Sequence, residues 1–390
     1  MFLLMKKILM IIVLSLLLTS NAIAKHKETV QMYKEYNYGS NGGDNYKKLD
    51  TKLQDSKLSK FVEKQMKNRK KTGLVNYVLF ENGKIVIDQN NYNEEIIKNN
   101  GLLRSNSMGK SLVAYVVGHG ICKGYIDSVN VKLSDWEILN NTLYADNTML
   151  QILNMTAGDH KFVGQRNYGN NPVSSDGSIK GSKKNMIQKN SVAQNMNLYF
   201  RGTKKKKENS PYNYSAMTTH VAINYLISKF ENAQEYEKFL TEIFRDHVGI
   251  KDRVSFLKTS WSSADFNEGN SRFTFFATSH DYLRIGIQIV EDYNSDSCIG
   301  DYLRTLYKNR ITKNNGYGFK AWQSGAYTKQ YGGQFHMSFV GLEDRVIFAM
   351  DGRGGQQFVM DMENGRIVLV NSVDQHYDWK KLVLNVIKQK

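Results

Sequence analysis

Four residues, Ser107-Met108-Gly109-Lys110, carry the strongest chemical signal in the chain. A serine and a lysine three positions apart share one face of a helix. The residues that follow, Ser111 to Gly118, are apolar nearly all round and read as a buried helix. A lysine ammonium desolvated by such neighbours has its pKa pushed down, by up to ~3–5 units when fully buried. As a neutral amine it can take the serine proton, which makes the pair a compact nucleophile–base unit. Ser107 would sit in the first turn, where free N–H groups and the helix dipole favour developing negative charge. A second Ser-x-x-Lys string, Ser255-Phe256-Leu257-Lys258, lies among polar residues and Trp261 with no apolar helix behind it. Gly109-Lys110-Ser111 also looks like the end of a phosphate-binding loop. That loop needs a glycine five residues before Gly109, where this chain has Arg104, so the nucleotide reading fails.

The elements that must hold this pair follow from patterning. Leu53 to Lys70 has helical character. Two β-rich runs, Leu74–Phe80 and Ile85–Ile87, flank an Asn82-Gly83 turn, a strong hairpin signal. The Ser107 helix follows, then a loop-dominated stretch over 159–209 and a second helix from Thr218 to Phe230. Strands return at Val346–Met350, Gln356–Met360 and, after Asn364-Gly365, Ile367–Val370; an amphipathic helix from Asp378 to Lys390 closes the chain. Strands at both ends with helices between them predict an α+β fold: one antiparallel sheet built from both termini, with flanking helices and a mostly helical region.

The first 24 residues have the form of a secretory signal. Lys6 and Lys7 precede an apolar run, Ile8 to Leu18, and Ala22-Ile23-Ala24 is a small-x-small cleavage site. The expectation is an exported protein, periplasmic or secreted, cleaved after Ala24 and membrane-anchored if uncleaved. A polar mobile segment is expected over 25–50. The formal net charge of +16 favours anionic surfaces, and makes a cell-envelope surface a candidate partner. Export weighs against nucleic acid, and the Lys204–Lys207 run reads as a solvated loop. No Cys/His spacing suggests a zinc site, so no metal or cofactor is expected. His119, on the apolar helix, reads as a packed histidine. Cys122 on the same helix reads as a buried free thiol, with a Cys122–Cys298 disulfide as the alternative after export.

Other reactive residues appear in a telling order. Tyr212-Asn213-Tyr214-Ser215-Ala216 precedes the second helix, and a tyrosine beside a lysine ammonium can have a lowered pKa and shuttle protons. Asp351-Gly352-Arg353-Gly354-Gly355-Gln356 lies between two strands, where glycines admit close backbone approach and Arg353 supplies fixed charge. In this order the three motifs resemble the serine β-lactamase and penicillin-binding-protein superfamily, and more closely the class C β-lactamase-related serine hydrolases, which include esterases and 6-aminohexanoate-dimer hydrolases. Met155-Thr156-Ala157-Gly158, Ala277-Thr278-Ser279-His280-Asp281, and Gly316-Tyr317-Gly318 with Trp322 resemble connecting segments of that family. The likeness runs from about Leu74 to Trp379.

The resemblance implies a β-lactamase/transpeptidase-like domain over 51–390, with its sheet from 74–88 and 335–372 and a helical and loop region over 105–310. It implies Ser107 as acylated nucleophile, Lys110 as base and Tyr214 as proton shuttle. The oxyanion hole would use the backbone N–H groups of Ser107 and Gln356, and Arg353, Gly354, Gly355 and Ala216 would contact substrate. Two departures stand out: Ala216 replaces a polar residue, and Arg353 replaces a lysine or histidine and cannot transfer a proton. The expected function is an exported serine hydrolase cleaving a small-molecule ester or amide through acyl-Ser107. A cell-wall D,D-peptidase acting on peptide, or a degenerate binding protein, are the alternatives. Pocket shape falls to the stretch 161–209, and the sequence leaves the oligomeric state open.

Overall fold

The computed structural model describes residues 37–159, 190–205, 210–258, 265–313, 327–374 and 376–389. The signal-like segment, Trp261, the Gly316–Trp322 stretch and most of 161–209 lie outside these residues. In chain order the strands are β1 (Asn37–Ser40), β2 (Leu74–Glu81), β3 (Lys84–Asn90), β4 (Leu103–Arg104), β5 (Val254–Lys258) and β6 (Ser271–Ala277). They continue with β7 (Ile311–Thr312), β8 (Thr328–Gly332), β9 (Phe335–Phe339), β10 (Ile347–Gly352), β11 (Gln356–Asp361) and β12 (Ile367–Ser372). Five helices matter most here: α1 (Lys57–Lys67), α2 (Gly109–Cys122), α3 (Ala216–Ile227), α4 (Ser279–Tyr293) and α5 (Cys298–Lys308).

The main sheet has the order β3-β2-β12-β11-β10-β9-β8-β7, so the N-terminal hairpin pairs with the last strand of the chain. Every pairing in it is antiparallel, as expected from the two-termini pattern. The Asn82-Gly83 turn closes β2 onto β3 with positive φ at both residues, 52° and 75°, which suits Asn and Gly and matches the twist of the strands. β2 and β12 read as continuous apolar runs because both of their faces are covered. Tyr77, Leu79, Val368 and Val370 pack with Val62 of α1 and Leu382 and Ile387 near the C-terminus. Their alternate neighbours Val75, Val78 and Leu369 face the large core that holds α2, α3 and α4. Among the described residues no helix is long and apolar enough to cross a membrane.

Three features differ from the sequence expectation. First, the helical region also contributes a second sheet, ordered β1-β5-β6-β4. Its strand β6 is Ser-Arg-Phe-Thr-Phe-Phe-Ala, whose aromatics fill the core between α2 and α4. Second, residues 37–50 are held rather than mobile. β1 pairs with β5, buried Tyr38 donates to Asn270 Oδ1 at 2.8 Å, Lys47 N–H donates to Gly249 O at 2.8 Å, and Ile85 N–H donates to Asp50 O at 2.8 Å. Third, Cys122 is not a free thiol: it forms a disulfide with Cys298, joining the end of α2 to the start of α5. The apolar character of α2 belongs to its buried turns; Cys122 is its last residue and is only partly buried.

This bridge spans 176 positions in sequence, so it restricts the unfolded chain strongly. Removing it by reduction or by Cys298→Ser is expected to lower unfolding free energy by about 2–4 kcal/mol. Urea unfolding with and without reductant checks this, and coincident curves would count against it.

Candidate active site

Ser107 sits where a strand turns sharply into a helix. Ser105 extends β4 along β6, exchanging hydrogen bonds with Phe275: its N–H donates to Phe275 O at 2.8 Å, and its Oγ accepts from Phe275 N–H at 2.8 Å. Asn106 then takes the left-handed conformation, φ 48°, which a short amide side chain tolerates. The chain tightens through residues 106–108 and enters α2 at Gly109. Gly109 is required by its surroundings: a Cβ there would lie 1.8 Å from Phe273 O of β6. The glycine between Ser107 and Lys110 therefore lets a backbone strand lie against the helix start.

Lys110 follows with its side chain fully enclosed, its Nζ 3.2 Å from Ser107 Oγ. Nζ stands 3.3 Å from the Phe273 ring centroid and 5.0 Å from that of Tyr214. Among the described residues no carboxylate pairs with it, and burial holds its pKa well below the ordinary lysine value. Ring faces favour a cation by roughly 0.5–2 kcal/mol. Full burial shifts a lysine by up to ~3–5 units at 1.36 kcal/mol each. Burial wins, and the amine gives up its proton far more readily than an ordinary lysine.

Tyr214 shares a hydrogen bond with Ser107, so the three expected catalytic residues meet. Its phenol differs from expectation in one respect. Burial, with Asp351 nearby, pushes its pKa up rather than down, although the hydrogen bond with Ser107 opposes this. Ser215 caps α3, its Oγ accepting from Met217 N–H at 3.0 Å, and Ala216 opens the helix. The loop that carries Tyr214 is clamped by Asp159, which the sequence reading did not single out. This fully buried carboxylate accepts from Asn213 Nδ2 at 2.7 Å and Tyr144 OH at 3.0 Å, and is also bonded to Ser215. Burial raises its pKa to about 6. Its position directly after Met155-Thr156-Ala157-Gly158 was the available signal.

The third motif forms the β10–β11 hairpin. Gly354 and Gly355 have φ 89° and 90°, and Gly352 lies so close to Ser105 O that a Cβ would sit 2.5 Å from it. Asn106 Nδ2 donates to Arg353 O at 2.7 Å, which ties this hairpin to the Ser107 turn, while the Arg353 side chain is exposed. Gln356 pairs with Gly352 across the hairpin. Its side chain is taken up by β12, donating to Ser372 O and accepting from Asn371 Nδ2 at 3.2 Å.

A second buried lysine stands behind Tyr214. Lys313 Nζ is 2.7 Å from His336 Nδ1 and 2.5 Å from Thr328 Oγ1, and the His336 ring centroid lies 6.3 Å from that of Tyr214. Burial lowers Lys313 to about 7, against the opposing pull of Asp351. Burial raises Asp351 to about 6, although Lys313 and a 2.5 Å hydrogen bond from Gln357 Nε2 oppose this. Lys313 directly follows β7, His336 lies on β9 and Asp351 on β10, so no local pattern announces them. The other Ser-x-x-Lys string lies on β5, where positions three apart point to opposite faces. A surface cavity of about 240 Å³, lined in part by Asp88, Tyr92, Lys251 and His280, includes none of the catalytic candidates.

No family model matches the sequence, and no curated protein matches it either. Solved structures do match. A Bacillus anthracis protein assigned as a 6-aminohexanoate-dimer hydrolase is 13% identical, with TM-score 0.58 over 90% of this chain and 89% of that one. A class C β-lactamase from Rhodobacter sphaeroides is 9% identical, with TM-score 0.56 over 85% of this chain and 100% of that one. EstCE1, a hydrolase with promiscuous acyltransferase activity, is 10% identical, with TM-score 0.55 over 83% of this chain and 96% of that one. With its two-termini antiparallel sheet and the Ser107 turn at the head of α2, the chain has the fold of the β-lactamase and penicillin-binding-protein serine hydrolases.

Proposed function

We propose that this protein is a serine hydrolase that cleaves an ester or a simple amide through an acyl-Ser107 intermediate. The observation that carries the reading is a fully buried lysine, with no carboxylate partner among the described residues, 3.2 Å from a serine hydroxyl. Lys110 takes the Ser107 proton as Oγ attacks the substrate carbonyl carbon. General-base help of this kind is worth about 10²–10⁴ in rate. The tetrahedral oxyanion is held by the Ser107 N–H and by an N–H of the third-motif hairpin. Gln356 is the expected donor there, and Arg353, tied to Asn106, is the part of the hairpin that touches the Ser107 turn. Each such donor is worth about 10²–10³.

Collapse of the tetrahedral species expels the alcohol or amine, which receives a proton from the Lys110 ammonium through the Tyr214 hydroxyl. Water then attacks acyl-Ser107, gives its proton back along the same path, and releases the carboxylic acid. A phenol with a raised pKa remains neutral, and so can both donate and accept at the same oxygen. The exposed Arg353 guanidinium suits a substrate carboxylate, but its fixed charge rules out proton transfer. That limit, together with Ala216, favours esters and small amides over β-lactams. We propose export as well: the signal-like N-terminus suggests it, and the Cys122–Cys298 disulfide supports an oxidising compartment.

The decisive experiment is intact mass after exposure to a reactive fluorophosphonate. One adduct on the wild type and none on Ser107→Ala is expected; folded wild type without an adduct would sink the proposal. The pH dependence of labelling tests the base. Because the neutral amine is the reactive form, the rate should rise with pH and level off well below 10.5, the ordinary lysine value. Lys110→Met should lower the plateau about 10²–10⁴-fold and remove that limb. A wild-type rate still climbing near 10.5 would show an ordinary lysine instead.

A further inference from the structure

Beside the disulfide, three elements bring together side chains that the proposed hydrolysis does not use. His119 of α2, His247 of the wide turn Glu242–Val248 and Asp292 of α4 each place a donor atom within 4.8 Å of the others. Asp292 is almost fully buried, and its carboxylate sits 2.9 and 3.1 Å from His247 Nε2. It also accepts from Tyr115 OH at 2.5 Å and from Gln288 Nε2 at 3.0 Å. Burial alone would raise the Asp292 pKa, but these hydrogen bonds outweigh it and hold the group as a carboxylate. His119 is the unexplained member. Its ring packs edge-on against Tyr115 and His247, with centroids 4.7 and 5.1 Å away, yet its Nε2 is buried and, among the described residues, has no hydrogen-bond partner. Leaving such a polar atom unpaired is destabilising.

We propose that His119, His247 and Asp292 form a zinc site, with water as the fourth ligand. Two imidazoles and one carboxylate suit a tetrahedral zinc ion that keeps one open position. The ion would replace the direct contact between His247 Nε2 and the Asp292 carboxylate, and any proton on that nitrogen would pass to solvent. His119 Nε2 would gain a partner as a zinc ligand. Tyr115 and Gln288, both donating to Asp292, would orient the carboxylate, as outer groups commonly do at metal sites. The His247 side chain is 37% exposed, which gives the ion a path in and the water a place. The nearby Lys123 ammonium is paired with Glu242. An ion here would cross-link α2, α4 and the 242–248 turn next to the Cys122–Cys298 bridge, bracing the helix that carries Lys110 at its other end, directly after the Ser107 turn.

The test is independent of hydrolysis and can use the Ser107→Ala protein. The full chain is stripped with chelator, dialysed, and titrated with zinc chloride by calorimetry; cobalt(II) chloride then reports coordination by visible absorption. One zinc per chain, a raised unfolding temperature and a tetrahedral cobalt spectrum are expected. His247→Ala, at a partly exposed position, should weaken binding at least about tenfold, the effect typical of losing even an outer-shell partner. It should also abolish the temperature shift. His119→Gln should do the same, and it decides the matter if His247→Ala fails to fold. No stoichiometric zinc on the folded wild type would overturn the site. Equal binding by wild type and both variants would overturn it too, since the ion would then lie elsewhere.

Discussion

The site depends on a lysine buried, among the described residues, without a counter-charge. A charged group in an apolar interior is costly, and that cost pushes the Lys110 pKa well below the ordinary lysine value. Its basicity is therefore a product of packing. The Phe273 ring covers Nζ, and Phe273 O comes so close to α2 that position 109 must be glycine. Strand β6 thus does two things at once: it desolvates the base, and through Phe275 it fixes Ser105 at the start of the nucleophile turn. A second sheet running against the helix start is what makes the Ser107–Lys110 spacing chemically meaningful.

Around that pair, each further motif is held by a contact from a different part of the chain. Asn106 reaches Arg353 on the β10–β11 hairpin, and Asp159 gathers Asn213, Tyr144 and Ser215. Gln334 joins three elements: its carbonyl accepts from Ser111 Oγ at 2.6 Å, its Oε1 from Thr219 Oγ1 at 2.8 Å, and its Nε2 donates to Leu153 O at 3.0 Å. Such satisfied buried polar contacts rigidify a core, because breaking one leaves an unpaired group in a low-dielectric interior. Two buried lysines, His336 and Asp351 share the region around Tyr214, so their protonation states are coupled to one another.

Ser-x-x-Lys before an apolar helix, Tyr214 before a second helix and a glycine-rich turn between late strands were all legible in the sequence, because each is a local pattern that chain geometry converts directly into a face or a turn. The strand periodicities at both ends and the Asn82-Gly83 turn determined the α+β class for the same reason. What tertiary structure alone decided involves residues far apart in sequence. Lys313 meets His336 and Asp351, Asp159 clamps the Tyr214 loop, Cys122 meets Cys298, and His119 meets His247 and Asp292. It also decided the sign of the Tyr214 shift, since burial and nearby charge push a phenol in opposite directions and their balance depends on packing. Sequence fixes which groups are present and how neighbours along one element are spaced; only the fold sets their distances across elements and the water around them, and those two quantities govern their chemistry.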